Sequence, residues 1–280
     1  MKQKLTLLLS LLSLGALALG FVGCSTVPET GRRQLITVNA QEENASGLAA
    51  FADIKKTEKI STNAAANAQV QRVGVRIKDS VMKSHPMPDA QWEFVVFESD
   101  QVNAFALPGG KVGVYTGLLK LVSSDDELAI VMGHEIAHVT SHHGAERASQ
   151  SGAANILGQL GGAALGLTQY SDTTKNLLLT GYGVGAQGTL LKYSRTHESE
   201  ADTVGMQFAA GAGYNPQAAV TFWKKMAAAS GNGSEQQSGL AGMIAKWTST
   251  HPPDAERIAN LESLVPKWMP TYEQAKLRYK

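Results

Sequence analysis

The chain contains very little cysteine, since Cys24 is its single cysteine among 280 residues. No intramolecular disulfide is therefore possible, and packing must supply the stability of the fold. The chain also lacks an excess of charge, because 25 basic residues balance 24 acidic ones and leave a formal net charge of +1. A nucleic-acid-binding protein would show a basic face. We therefore expect no nucleic-acid partner.

Long apolar runs are rare as well, and the one clear case lies at the N-terminus. Two lysines precede an apolar run over residues 5–21, which predicts a cleaved export signal over residues 1–23. The letters "FVGC" resemble a bacterial lipobox, which implies cleavage before Cys24 and lipidation of its thiol. Ser25 follows the cysteine, a pattern typical of lipoproteins of the outer membrane that face the periplasm. The alternative is a free or buried thiol.

The rest of the chain is expected to be a polar tether over residues 24–40 and a single domain over residues 41–280. In residues 41–84, apolar residues recur at intervals of three and four positions, which predicts a mostly helical segment. The segment "QWEFVVFES" predicts a strand, and "VNAFALPGGKVGVYTGLL" predicts two strands joined by a Pro-Gly-Gly turn. The fold predicted by these patterns is α+β, mostly helical with a small sheet.

The strongest helix signal covers "SSDDELAIVMGHEIAHVTSHHGAERAS", which begins with an S-x-x-E capping box at Ser124. Residues 151–190 are rich in Gly, Ala and Leu and predict a mobile helical hairpin, which could open like a lid or touch the membrane. Further helices are predicted from Tyr193 to about Ala210, from Asn215–Pro216 onward, and around residues 254–265 and 271–279, with a flexible loop at "SGNGSEQQSG".

The central motif is "HEIAH", an H-E-x-x-H sequence inside this helix. Positions i and i+4 of a helix lie about 5–6 Å apart on one face, so His134 and His138 can bind one ion. Glu135 then stands beside the open position of the metal, where it can act as general base for an activated water. Chance would produce the motif only about 0.01 times in a chain of this composition, which disfavours an accidental histidine-rich surface.

A catalytic zinc site needs a third protein ligand. His142 lies about 12 Å from His134 along a straight helix, too far to share its ion, so we expect His142 and His143 to be surface or packing residues. The segment "YSRTHESEAD" places Glu198 and Asp202 on one helix face. Glu198 would bind zinc, and Asp202 would accept a hydrogen bond from one histidine.

The remaining carboxylate of that segment, Glu200, is rotated about 200° from Glu198 and should face elsewhere. The competing interpretation of all three carboxylates is a solvated, charged helix face. The presence of H-E-x-x-H upstream disfavours it.

These motifs resemble the gluzincin metallopeptidase family that includes HtpX and the CAAX prenyl endopeptidases. The segments "TGRRQL", "NAFALPGGKVGVYTGLL", "YSRTHESEAD" and "STHPPDAERI" are similar to its exported lipoprotein branch of LoiP-like and BepA-like members. The likeness covers most of residues 28–265. BepA-like members carry a C-terminal helical-repeat domain, which we do not expect here because fewer than 30 residues follow "HPPD".

The resemblance implies a gluzincin-type zinc endopeptidase with one zinc per chain and an edge strand that precedes the HExxH helix. Its metal ligands would be His134, His138 and Glu198. Glu135 would be the general base, and Asp202 would be the partner of His134.

Two further segments are candidates for contact with substrate. His251 and Arg257 of "THPPDAER" are candidate donors to the developing oxyanion. His251 could instead occupy the fourth position of zinc and hold the enzyme latent, or be an ordinary loop residue. In "NAFAL", the backbone of Asn103, Ala104 and Phe105 could pair with an extended peptide, although Phe105 could also be a core residue.

The sequence therefore predicts a zinc-dependent endopeptidase of the bacterial cell envelope that hydrolyses unfolded, misfolded or damaged proteins, with a lipid anchor as its membrane contact. The main alternative is a zinc-bearing chaperone or envelope assembly factor with latent protease activity. Glu135 favours the enzyme, because a glutamine at that position would have favoured the chaperone. An inert structural lipoprotein would require both carboxylate-bearing motifs to be accidental.

Overall fold

The fold is taken from a computed structural model that describes residues 24–150, 194–230 and 239–279. The predicted export signal, the predicted hairpin of residues 151–190 and most of the predicted "SGNGSEQQSG" loop lie outside these residues.

The segment expected to be a polar tether contains a small antiparallel hairpin. Strand β1 (Cys24–Thr26) pairs with β2 (Arg33–Leu35), and Cys24 lies opposite Leu35. The side chains of Val27 and Gln34 are buried. The hairpin is ordered because contacts with residues far along the chain hold it, and short-range periodicity could not indicate those contacts.

Two long helices follow, as predicted for residues 41–84. Helix α1 (Ala40–Thr57) and helix α2 (Ala64–Ser84) each begin after an asparagine. The side chains of Asn39 and Asn63 accept hydrogen bonds from backbone N–H groups of the first turn, at 2.8 and 3.0 Å. Such caps satisfy donors that a helix start leaves without partners.

The three strands predicted next form one sheet in the order β3-β5-β4. Strand β4 (Ala104–Leu107) pairs antiparallel with β5 (Lys111–Tyr115) across the predicted Pro-Gly-Gly turn. Strand β3 (Glu93–Phe97) pairs with β5 in parallel, a pairing that the sequence did not indicate. Strand β4 is therefore at one edge of the sheet, and a short helix, α3 (Thr116–Leu119), follows β5.

Helix α4 (Asp125–Thr140) carries the HExxH motif and lies at the centre of the molecule, in contact with β4 and α2. The Ser124 hydroxyl caps its start, and every residue from Glu127 to Thr140 is buried. The predicted continuous helix is interrupted at Ser141 and His142. His142 has φ 54°, a left-handed conformation that few non-glycine residues adopt, and residues 143–150 are helical again.

Helix α5 (Arg195–Gly211), which carries the second motif, crosses α4 at backbone contact. A Cβ atom added to Gly133 would lie 2.8 Å from the Gly205 carbonyl oxygen, and one added to Gly205 would lie 2.7 Å from the His134 nitrogen. Neither position has room for a side chain. This close approach brings the carboxylate face of α5 within reach of the HExxH histidines.

The C-terminal part differs most from expectation. Helix α6 (Gln217–Ser230) follows the predicted Asn215–Pro216 start, but α7 (Leu240–Thr250) was not predicted. The two helices predicted around residues 254–265 and 271–279 are one helix, α8 (Ala255–Ala275), which ends in a 3-10 turn. It continues through Pro266 and Pro270 because buried side chains on both sides of the prolines hold it against the core.

The described residues thus form an α+β fold that is mostly helical with small sheets, as predicted. No helix within the described ranges is long and apolar enough to cross a bilayer.

Candidate active site

Four buried side chains converge where α4 and α5 cross. His134, His138, Glu198 and His251 each offer one ligand atom, and these atoms all lie within 4.8 Å of one another. The Nε2 atoms of the two α4 histidines are 3.1 Å apart. Glu198 Oε2 lies 3.5 Å from His134 Nε2, and Glu198 Oε1 lies 3.5 Å from His138 Nε2. The ligand atoms of a tetrahedral zinc ion, each about 2.0–2.1 Å from the metal, lie roughly 3.3 Å apart. The side chains therefore fit a zinc ion.

Asp202 and Arg257 hold one side of this cluster. The His134 Nδ1 atom lies 3.0 Å from Asp202 Oδ1, off the line of an ideal hydrogen bond. Arg257 donates two hydrogen bonds to Asp202, at 2.7 and 2.8 Å, and its Nη1 atom lies 2.8 Å from Glu198. The guanidinium group lies over the Trp223 ring, 4.1 Å from its centroid. Arg257 thus fixes two of the three carboxylates of α5, Glu198 and Asp202, at once.

Glu135 lies beside the cluster and is itself buried. Its Oε1 atom is 3.7 Å from His251 Nε2 and has no hydrogen-bond partner in the part of the chain that the structure describes. Burial raises the pKa of the Glu135 carboxyl group. A buried carboxylate with an uncommitted oxygen and a raised pKa can take up a proton from a water held next to it.

The charges of the other groups favour a bound cation. Burial opposes ionisation of Glu198, but the charges of His251 and Arg257 keep its pKa well below the usual range. Burial and the neighbouring His134 lower the pKa of His138, which leaves a neutral imidazole with a free electron pair. Burial also opposes protonation of His134, yet Asp202 and Glu198 raise its pKa to about 9. The proton on His134 Nε2, which faces Glu198, thus occupies the place that a metal ion bound by these two residues would take, while Nδ1 keeps its contact with Asp202.

His251 lies inside this cluster rather than on an exposed loop. It caps the C-terminus of α7, and its Nδ1 atom is 3.1 Å from Glu198. Its ring packs against Trp247 and His134, with centroid distances of 5.3 Å in both cases. The tertiary structure therefore places this predicted residue next to the predicted ligands and the predicted base.

The predicted substrate strand lies at the sheet edge and packs against α4. The Phe105 ring packs among Phe51, Phe97 and Tyr115, so its side chain belongs to the core. The Asn103 carbonyl oxygen accepts a hydrogen bond from the Tyr115 N–H. The Asn103 Oδ1 atom is buried without a hydrogen-bond partner among the described residues.

Sequence reasoning missed a second polar cluster behind His138. It contains Arg32, His143, Glu146, His197 and Glu200. His143 is fully buried with a pKa lowered to about 4, chiefly by burial. The Glu200 side chain does face away from the metal ligands, but it is buried, so the α5 carboxylates do not form a solvated face. Two features of the sequence could have indicated this cluster. They are the adjacent histidines, His142 and His143, and the "TGRRQL" segment, which contains Arg32.

A buried histidine–carboxylate cluster on two crossed helices, beside the edge strand of a small sheet, defines a metallopeptidase-type domain. The chain belongs to Peptidase family M48, whose model matches residues 64–265. This family match supports the predicted resemblance to zinc peptidases. Membership of the exported lipoprotein branch stays a prediction.

Relatives with known names support the same family. The chain is 34% identical over 193 residues to the mitochondrial metalloendopeptidase OMA1 of Schizosaccharomyces pombe, covering 69% of this chain and 52% of that protein. It is 27% identical over 229 residues to the beta-barrel assembly-enhancing protease of Escherichia coli K12, covering 80% and 46%. The chain therefore spans about half the length of these relatives.

Proposed function

We propose that this protein is a zinc-dependent endopeptidase with His134, His138 and Glu198 as metal ligands. The observation that carries the proposal is the buried convergence of these three side chains at 3.1–3.5 Å, with Glu135 beside them. Zinc, when bound, would activate a water molecule and polarise the peptide carbonyl group. The fit of four donor atoms within 4.8 Å supports one metal ion per chain.

The chain's own residues would divide the remaining work. Glu135 would accept the proton of the attacking water and return it to the leaving amine. Asp202 would orient His134, and Arg257 would orient Glu198. The Arg257 guanidinium group already binds the carboxylates of both Asp202 and Glu198. These contacts favour a positioning role for Arg257 over the oxyanion-donor role considered from the sequence.

The substrate would be an extended peptide. Strand β4 is at a sheet edge next to α4, and a strand edge binds peptides through main-chain hydrogen bonds with little demand on sequence. This supports unfolded or misfolded proteins as substrates. The backbone of residues 103–105 would provide the pairing, and the side chain of Phe105 would stay in the core.

A digestion assay with an unfolded model protein tests this function. The purified full chain should cleave it, a chelator should stop cleavage, and added zinc should restore it. A chelator-resistant activity, or no cleavage by either the wild type or His251→Ala at any metal content, would refute the proposal.

His251 supports a second state of the same site, in which the protease is latent. As one of the four convergent donors, it is placed to complete the coordination of a metal ion and exclude water. We therefore expect His251→Ala to raise the rate of proteolysis several-fold, since activity follows the fraction of molecules with an open site. The measurement is kcat/KM on an unfolded substrate at full zinc occupancy.

The matched control for His251 is Lys246→Ala, an exposed change on the same helix, which should leave the rate unchanged. A fall of about 10²–10³-fold in His251→Ala with zinc retained would instead assign the side chain to oxyanion stabilisation. An unchanged rate would contradict both roles. A latent protease is also what the alternative function, a chaperone or assembly factor of the envelope, requires.

We further propose that the protein is exported and anchored by lipid on Cys24, at the outer membrane facing the periplasm. The "FVGC" segment, in which Cys24 follows the apolar run of residues 5–21, supports this. The bacterial relative, named as a beta-barrel assembly-enhancing protease, is compatible with a role in the envelope.

The anchor can be tested by cell fractionation. We expect Cys24→Ala to leave the membrane fraction or to stay unprocessed, because the thiol is the atom that carries the lipid. Ser25→Ala is the control and should remain in the membrane fraction. A mature wild-type mass without added lipid would disprove the anchor.

A further inference from the structure

A buried line of polar side chains leads from the N-terminal hairpin to His138. Arg32, next to strand β2, donates a hydrogen bond from Nε to Glu200 at 2.8 Å. Its two terminal nitrogens bind both oxygens of Glu146 at 3.0 and 2.8 Å. The Thr30 hydroxyl also donates to Glu200. One arginine thus links the hairpin to α5 and to the helical residues 143–150.

The line continues from Glu200 through His143. The His143 Nε2 atom lies 2.9 Å from Glu200 Oε2, and its Nδ1 atom lies 2.8 Å from His138 Nδ1. In a continuous helix, residues five apart point about 140° away from each other. The left-handed conformation of His142 breaks the helix and lets the His143 ring approach His138.

The His143 ring is held between Glu200 and His138, and in its neutral form it would set which nitrogen of His138 carries the proton. A carboxylate only accepts hydrogen bonds, so His143 donates to Glu200 through Nε2–H. A neutral imidazole has one N–H, and the His143 Nδ1 atom therefore accepts from His138 Nδ1–H. That leaves the electron pair of His138 on Nε2, the atom that faces the His134 Nε2 atom at 3.1 Å.

We propose that Arg32 is a positioning residue for His138, acting through Glu200 and His143, so that the N-terminal hairpin is part of the metal centre. The inference rests on the proposed function, because His138 is a ligand only if the cluster holds a metal. Arginine suits this place because its planar fork can bind two carboxylates at once, which a lysine ammonium cannot match.

The test is the zinc affinity of the full-length protein, measured by competition with a chromophoric chelator. Arg32→Gln should weaken zinc binding by about 10–100-fold, the usual effect of removing a partner that orients a metal-bound histidine. Arg33→Gln is the matched control, since Arg33 is the neighbouring residue and is exposed. It should keep the wild-type affinity. Wild-type affinity in Arg32→Gln would overturn the proposal.

A second comparison separates positioning from general support of the fold. In a His143→Ala background, Arg32→Gln should change zinc affinity by less than about twofold, because the link to His138 is already cut. An undiminished effect in that background would overturn the proposal. If Arg32→Gln does not fold, Glu200→Gln tests the same line, and wild-type affinity there would overturn it equally.

The tautomer of His138 gives a readout that needs no metal. Nitrogen NMR of the metal-free, ¹⁵N-histidine-labelled protein should show His138 protonated at Nδ1 in the wild type and a mixture of tautomers in Arg32→Gln. An Nε2-protonated His138 in the wild type would refute the inference. Failure of the wild type to bind zinc would instead refute the proposed function. The tautomer measurement would still decide the inference about Arg32.

Discussion

Glu135→Gln is expected to lower kcat/KM for cleavage of an unfolded protein by about 10²–10⁴-fold while zinc stays bound. The amide has nearly the shape of the carboxylate but cannot accept a proton at neutral pH. The side chain is not among the four convergent donor residues, so its replacement should leave the ligand set intact. The measurement is the rate of digestion together with the zinc content of each preparation.

The control for this change is Glu42→Gln, which removes a carboxylate from an exposed position in the first turn of α1. It should digest the substrate at the wild-type rate. Full activity in Glu135→Gln would mean that another group accepts the proton, and the assignment of the general base would be wrong.

Glu198→Ala is expected to cause the largest loss of metal. One Glu198 oxygen lies 3.5 Å from His134 Nε2 and the other lies 3.5 Å from His138 Nε2, so the change removes one of the three proposed ligands and the only carboxylate among the convergent donors. Zinc affinity should fall by much more than the roughly 10–100-fold typical of outer partners. The matched comparison is Glu200→Ala, two residues away on the same helix.

Glu200→Ala should stay within that 10–100-fold range, because Glu200 contacts His143 rather than the convergent donors. Chelator competition on both variants, at equal folded fraction, distinguishes them. Equal losses, or a loss in Glu200→Ala alone, would show that the wrong carboxylate has been assigned to the metal.

Local patterns were sufficient for much of the fold and for the ligand candidates. Helical periodicity placed His134 and His138 on one face of α4, and Glu198 and Asp202 on one face of α5. The alternation of apolar and polar residues identified the strands. These relations span at most four residues within one element, so the geometry of a helix or strand determines them. The prolines of α8 misled the prediction because burial, a property of the tertiary structure, outweighed a local preference.

The sequence by itself determined which residues could bind a metal and which carboxylate could act as base. Only the tertiary structure decided how they meet, through the backbone contact of Gly133 with Gly205 and the approach of His251 from another helix. It alone brought Arg32 to Glu200, across 168 positions of the chain. The physical reason is that such contacts depend on how helices cross and where one of them breaks, and neither is a property of any short segment.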